Sequence, residues 1–90
     1  MYHMRKITLE VLLTLKYLLE NPEGLCYGYR LQKETGMSSG AVSQILNRLK
    51  ASRFVEKEIC PVPKGRPRVI YTLTPRGREK AFELLSKVQL

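Results

Sequence analysis

The sequence contains no aspartate; all eight of its acidic residues are glutamates, and His3 is its single histidine. A Ser-His-Asp triad cannot be assembled from this set, and no aspartate is available to hold magnesium. A zinc site would have to draw on Cys26, Cys60, His3 and a glutamate, scattered positions that match no metal-binding spacing. The composition therefore predicts no enzyme, no metal and no cofactor. The two cysteines, without a secretory signal, read as reduced thiols, with a Cys26–Cys60 disulfide as the alternative. No apolar run approaches the roughly 18–20 residues needed to cross a bilayer. Glu10 and Lys16 interrupt the apolar stretch behind the basic start at Arg5 and Lys6, and no small-residue cleavage site follows. These absences predict a cytoplasmic protein with no membrane partner. Internal repeats and low-complexity segments are also missing. Ninety residues form one domain, 1–90, whose small core would gain from self-association.

The charge present is uneven. The net charge is +8. Residues 1–37 carry five Lys/Arg against four Glu, a net of +1, whereas residues 38–90 carry eleven against four, a net of +7. A basic half on a small domain points to an anionic polymer, nucleic acid first. Charge alone is equally compatible with a surface that is merely basic.

Hydrophobic periodicity predicts a helix over Ile7–Glu20, with Ile7, Val11, Leu12, Leu15, Leu18 and Leu19 on one face and Asn21-Pro22-Glu23-Gly24 as its stop. Leu9, Leu13 and Tyr17 form a second apolar stripe on the other side. That stripe either contacts a second copy of the chain or packs on the C-terminal helix. Leu25–Leu31 is ambiguous. Leu25, Tyr27, Tyr29 and Leu31 alternate like a strand, yet Gly28–Thr35 followed by Gly36 reads as a short helix. Ser38–Ser52 reads as a helix with Ser38 as N-cap and Val42, Ile45, Leu46 and Leu49 on its buried face. Phe54–Cys60 and Arg68–Leu73 alternate as an antiparallel hairpin with Pro63–Pro67 at its tip. Thr74-Pro75 then starts a last helix carrying Ala81, Leu84, Leu85 and Val88 on one face. Tyr17, Tyr29, Phe54, Tyr71 and Phe82 lie on separate elements and read as core rather than as a base-stacking platform.

Two short helices joined by Thr35-Gly36-Met37-Ser38, followed by a basic hairpin, define an α+β, mostly helical fold: a winged helix-turn-helix with a two-stranded wing and flanking N- and C-terminal helices. From about residue 8 to residue 85 the sequence resembles the PadR-like transcriptional regulators. The resemblance is carried by Gly28-Tyr29-Arg30-Leu31, by Gly36-Met37-Ser38-Ser39-Gly40 with Leu46-Asn47-Arg48-Leu49, and by Gly65-Arg66-Pro67-Arg68 with Tyr71-Thr72-Leu73-Thr74-Pro75-Arg76-Gly77. The wing segment is shared with MarR-like regulators; the three segments together are more specific. The chain departs from the family at Ser43 and Gln44, where members often carry a tyrosine and a proline. The resemblance implies a DNA-binding regulator, most often a repressor. Longer members have a C-terminal helical domain for dimerisation and, in some, effector binding. Here, with Leu90 the last residue, dimerisation is expected to rest on the first and last helices, and no small-molecule effector is expected.

The residues themselves support double-stranded DNA as the partner. The outer face of helix 38–52 presents Ser39, Gly40, Ser43, Gln44, Asn47, Arg48 and Lys50. In the major groove Gln44 and Asn47 can each pair bidentately with adenine, and Ser39 and Ser43 carry short polar groups toward base edges. Arg48 and Lys50 reach phosphates, as do the amides of the helix start after Ser38. Lys64, Arg66 and Arg68, in wing 61–68, reach the backbone or the adjacent minor groove. Plain solvation of a polar helix face and of a charged turn is the competing reading. A homodimer through Leu9, Leu13 and Tyr17 would read a two-fold operator. A winged-helix protein-interaction module is the alternative function, disfavoured because the exposed face is neither apolar nor acidic.

Overall fold

The computed structural model describes residues 8–26 and 29–88. Helix α1 spans Leu9–Glu20, a short strand β1 Leu25–Cys26, helix α2 Tyr29–Thr35, helix α3 Ser39–Ala51, strands β2 and β3 Val55–Cys60 and Arg68–Leu73, and helix α4 Pro75–Leu85. The sheet order is β1-β3-β2, antiparallel throughout.

Local chemistry explains most of these boundaries. Thr8 is extended and its side chain accepts the Val11 amide at 3.3 Å, so α1 begins at Leu9. Ile7, assigned to the apolar face by periodicity, lies outside the described residues. Thr14 is fully buried but satisfied, its hydroxyl donating to the Glu10 carbonyl at 2.8 Å. At the other end Asn21 donates its side-chain amide to the Tyr17 carbonyl at 2.8 Å. Gly24 then turns the chain with φ +105°; a Cβ there would lie 2.6 Å from Ile70 Cγ2. That close approach lets β1 pair with β3, with Leu25 opposite Tyr71 and Cys26 opposite Ile70.

The ambiguous segment 25–31 is thus resolved by division. Its first two residues complete a third strand and the helix begins at Tyr29. The same register separates the cysteines. Cys26 sits on β1 and Cys60 on β2, with β3 between them. Two strand spacings amount to roughly 9–10 Å, beyond the reach of an intrachain disulfide.

The core is formed where α1, α3 and the sheet base meet. Val11, Leu15, Leu18, Leu31, Leu49 and Ala81 are each at most 2% exposed, and Tyr17, Met37, Val42, Ile45, Leu46 and Val55 complete the cluster. Every apolar position expected on the inner face of α3 is buried. The C-terminal helix matches less well. Ala81 is buried and Leu84 and Leu85 pack on the core, but α4 ends at Leu85 and Val88 is exposed. Among the aromatics, Tyr17 is core and Phe54 and Tyr71 pack against it, whereas Phe82 is 62% exposed and is not a core residue. The side chain of Tyr29 lies outside the described residues. Ile59 is 60% exposed despite sharing a strand face with Val55, because the outer half of the hairpin extends beyond the packed body.

Thr74 caps α4 and makes two bonds that fasten it to the segment after α3. The Thr74 hydroxyl accepts the Gly77 amide at 2.9 Å and donates to the Arg53 carbonyl at 2.7 Å, while the Thr74 amide donates to the Phe54 carbonyl at 3.0 Å. Thr74→Ala removes the cap and the long-range bond together and is expected to destabilise the protein by about 1–2 kcal/mol. For a domain of this size that lowers the thermal midpoint by roughly 4–16 °C. An unchanged midpoint would mean that neither bond contributes.

Candidate nucleic-acid interface

The turn between α2 and α3 is set by one glycine and one buried side chain. Gly36 adopts φ +75° and its amide donates to the Gln32 carbonyl at 2.8 Å, ending α2. The Thr35 hydroxyl donates to the Leu31 carbonyl and accepts the Met37 amide at 3.3 Å. Met37 is 9% exposed and anchors the turn in the core. Gly28, in the segment that carries the resemblance, lies outside the described residues.

Ser38 caps α3, its hydroxyl accepting the Ala41 amide at 3.1 Å and its carbonyl the Val42 amide at 3.1 Å. The amides of Ser39 and Gly40 are left without partners inside the helix, as the first amides of any helix are. Gly40 is in open space: a Cβ there would meet nothing within 4 Å. The fold itself therefore does not require a glycine at this position.

All of Ser39, Gly40, Ser43, Gln44, Asn47, Arg48 and Lys50 are exposed, on the side opposite the buried face of α3. Arg48 and Lys50 occupy the last turn, where they also complement the negative end of the helix dipole. The helix ends in a left-handed cap. Arg53, with φ 65°, donates to the Lys50 carbonyl at 3.0 Å, and Phe54 donates to the Leu49 carbonyl at 2.8 Å. This pairing is the Schellman motif, with arginine where glycine is usual. It turns the chain directly into β2, so it sets the angle between α3 and the hairpin. Composition had no way to flag Arg53; a non-glycine left-handed residue is visible only in the backbone.

In the hairpin, Val55 pairs with Leu73, Lys57 with Tyr71 and Ile59 with Val69 on one face. Glu56 pairs with Thr72, Glu58 with Ile70 and Cys60 with Arg68 on the other. Lys64, Arg66 and Arg68 are all exposed, and Gly65, φ +88°, makes the turn between the first two. Among the described residues the salt bridges are Lys80–Glu83 at 3.7 Å and Lys87–Glu83 at 3.8 Å, both on the C-terminal side. Among the same residues, none of the cations on α3 or the wing is paired with a carboxylate. Arg76 is engaged otherwise, its guanidinium 5.8 Å from the centre of the Phe54 ring.

The apolar stripe on α1 is not a uniform surface. Leu9 is 58% exposed and Leu13 is half-buried, but Tyr17 is 8% exposed and belongs to the chain's own core. Helix α4 packs against α1 and supplies part of that cover. Among the described residues no group of three or more His, Cys, Asp or Glu is placed to hold a metal, and no helix is long and apolar enough to cross a membrane. His3 lies outside them.

A helix-turn-helix whose second helix is polar outward, followed by a hairpin and backed by two further helices, defines a winged-helix DNA-binding protein. The chain belongs to the transcriptional regulator PadR-like family, whose model matches residues 15–83. A comparison with curated proteins gave no match. Solved structures with this fold include a transcriptional regulator homologue from Pyrococcus horikoshii OT3, 24% identical with a TM-score of 0.70, covering 84% of this chain and 72% of that one. A PadR-like transcription factor from Bacteroides fragilis is 23% identical with a TM-score of 0.72, covering 86% and 77%. A MarR structure is 28% identical with a TM-score of 0.70; 90% of this chain aligns with 56% of that longer one.

Proposed function

We propose that residues 1–90 act as a single DNA-binding domain of a cytoplasmic regulator that recognises a specific double-stranded sequence as a homodimer. Helix α3 lies in the major groove and the wing, 61–68, lies on the backbone or in the adjacent minor groove. Gln44 and Asn47 read bases, with Ser39 and Ser43 at closer range. Arg48, Lys50, Lys64, Arg66, Arg68 and the amides following Ser38 hold phosphates. The observation that supports this most directly is the exposed face of α3, acid-free from Ser39 to Lys50, beside wing cations that no carboxylate of the described residues neutralises. Open space over Gly40 favours it too, since a bare backbone admits close approach of a ligand.

Dimerisation through the exposed end of α1, at Leu9 and Leu13, would place half-sites about 34–36 Å apart. Tyr17 would support that surface from beneath. Repression by occupation of a promoter is the mode that PadR-like membership favours, and no effector enters the account.

Arg66→Ala is the simplest test. It is expected to weaken binding to all duplex sequences alike and to lower the salt dependence by about one phosphate contact. Unchanged affinity and slope would remove the wing from the interface. Failure of the parent protein to shift any duplex at low salt would favour the protein-interaction alternative instead.

A further inference from the structure

Strand β2 carries a cation on the face where its pattern calls for an apolar residue. Lys57 lies between Val55, which is 2% exposed, and Ile59, and stands directly across from Tyr71. Both residues line a cleft of about 220 Å³ between the wing and the start of α3. Its polar rim is completed by Gln32 of α2 and by Ser39 and Ser43 of α3, over an apolar floor that includes Val42 and Leu46. No carboxylate lines it. Lys57 also borders a second cleft, which Glu23, Glu56 and Glu58 line. Among the described residues Lys57 makes no salt bridge.

We propose that this cleft seats one phosphodiester of the bound duplex, with Lys57 as its cation and the Tyr71 hydroxyl as a donor. The proposal rests on the DNA-binding reading above and adds a contact to it. Major and minor grooves are separated by a single sugar-phosphate strand. A duplex that takes α3 into the major groove and the wing tip into the flanking minor groove must lay that strand across the space between them. The chemistry of the cleft suits it: one positive charge, hydroxyl and amide donors, the positive end of the α3 dipole near Ser39, and an apolar base for deoxyribose. Lys57 is exposed, and a lysine on an edge strand also guards against edge-to-edge pairing. That role predicts a change in aggregation and none in DNA affinity, so the two can be separated.

The test uses the full chain and an operator duplex. Lys57→Gln is expected to lower affinity about fivefold at 150 mM salt for every sequence, and to reduce the salt slope by about 0.9. Lys57→Arg should restore both. Tyr71→Phe should weaken binding without altering the slope. Single methylphosphonates scanned along the duplex should identify one neutralised position that weakens the parent protein but does not further weaken Lys57→Gln. An unchanged slope in Lys57→Gln, or the absence of such a position for the parent protein, overturns the assignment. If Arg66→Ala still weakens binding in that case, the DNA-binding reading survives and only the seat is lost. Should Lys57→Gln aggregate, the scan is run on Tyr71→Phe instead: a position that weakens the parent protein but does not further weaken Tyr71→Phe supports the seat, and its absence overturns it.

Discussion

Gly77→Ala is expected to cost about 3 kcal/mol or more, although the residue sits in a helix where alanine ordinarily stabilises by roughly 0.5–1 kcal/mol. A Cβ on Gly77 would lie 1.9 Å from the Phe54 carbonyl oxygen and 2.7 Å from its carbon. These are backbone atoms and cannot rotate away. Phe54 is held by the hydrogen bond its amide donates to the Leu49 carbonyl and by the Thr74 amide donating to its own carbonyl, while the Thr74 hydroxyl donates to the Arg53 carbonyl. Relief would require α4 to lift off the junction of α3 and β2. Against a total stability of roughly 5–13 kcal/mol for a domain of this size, the loss is large. It should appear as a sharply lowered denaturation midpoint, with loss of DNA binding at temperatures where the parent protein binds. Gly40→Ala provides the internal comparison: its Cβ meets nothing, and stability should hold or rise slightly. Equal midpoints for Gly77→Ala and the parent protein would show that α4 does not approach Phe54 as described.

The second large effect concerns sequence discrimination rather than stability. Gln44 and Asn47 are exposed, three positions apart on α3, and neither has a side-chain hydrogen bond among those of the described residues. Replacing both with alanine leaves the buried face of α3 untouched and improves its helix propensity, so the fold should persist. A bidentate contact to adenine is worth about 1–3 kcal/mol against the wrong base. If both residues read bases, the double variant should lose roughly 30-fold to 20,000-fold of its preference for operator over unrelated duplex. Its salt slope should stay near that of the parent, because the phosphate contacts remain. This is the opposite profile from Arg66→Ala, which should lower affinity and slope but keep the preference. Identical ratios in parent and double variant would reduce the polar face of α3 to a solvated surface.

The parts of the fold legible in the sequence were those governed by local rules. Thr74-Pro75 and Ser38 announced helix starts because capping depends on a few adjacent residues. The inner face of α3 and the limits of β3 followed from apolar spacing alone. What stayed hidden depends on partners distant in the chain. A two-residue strand at Leu25-Cys26 exists only because β3 offers an edge and Gly24 permits the approach. Tyr17 fits either a docking stripe or a core by periodicity, and packing in the tertiary fold puts it in the core. Phe82 read as core because the aromatics lie on separate elements, yet it lies on the outer side of α4, whose inner side is taken by Ala81. Of the candidate site, the chemistry of α3 and the wing could be read from residue types. The cleft lined by Lys57 and Tyr71 could not, since it arises from the angle that Arg53 and Thr74 impose between α3 and the hairpin.

Selection of bound sites from a pool of random duplex DNA tests the central claim most directly, that α3 and the wing grip one duplex together. The account predicts enrichment of a two-fold symmetric sequence with half-sites about one helical turn, 10–10.5 base pairs, apart. It also predicts that the enriched positions lose their bias when the Gln44→Ala, Asn47→Ala double variant is used. Recovery of a pool no different from the input, or of the same sequence with parent and double variant, would contradict it.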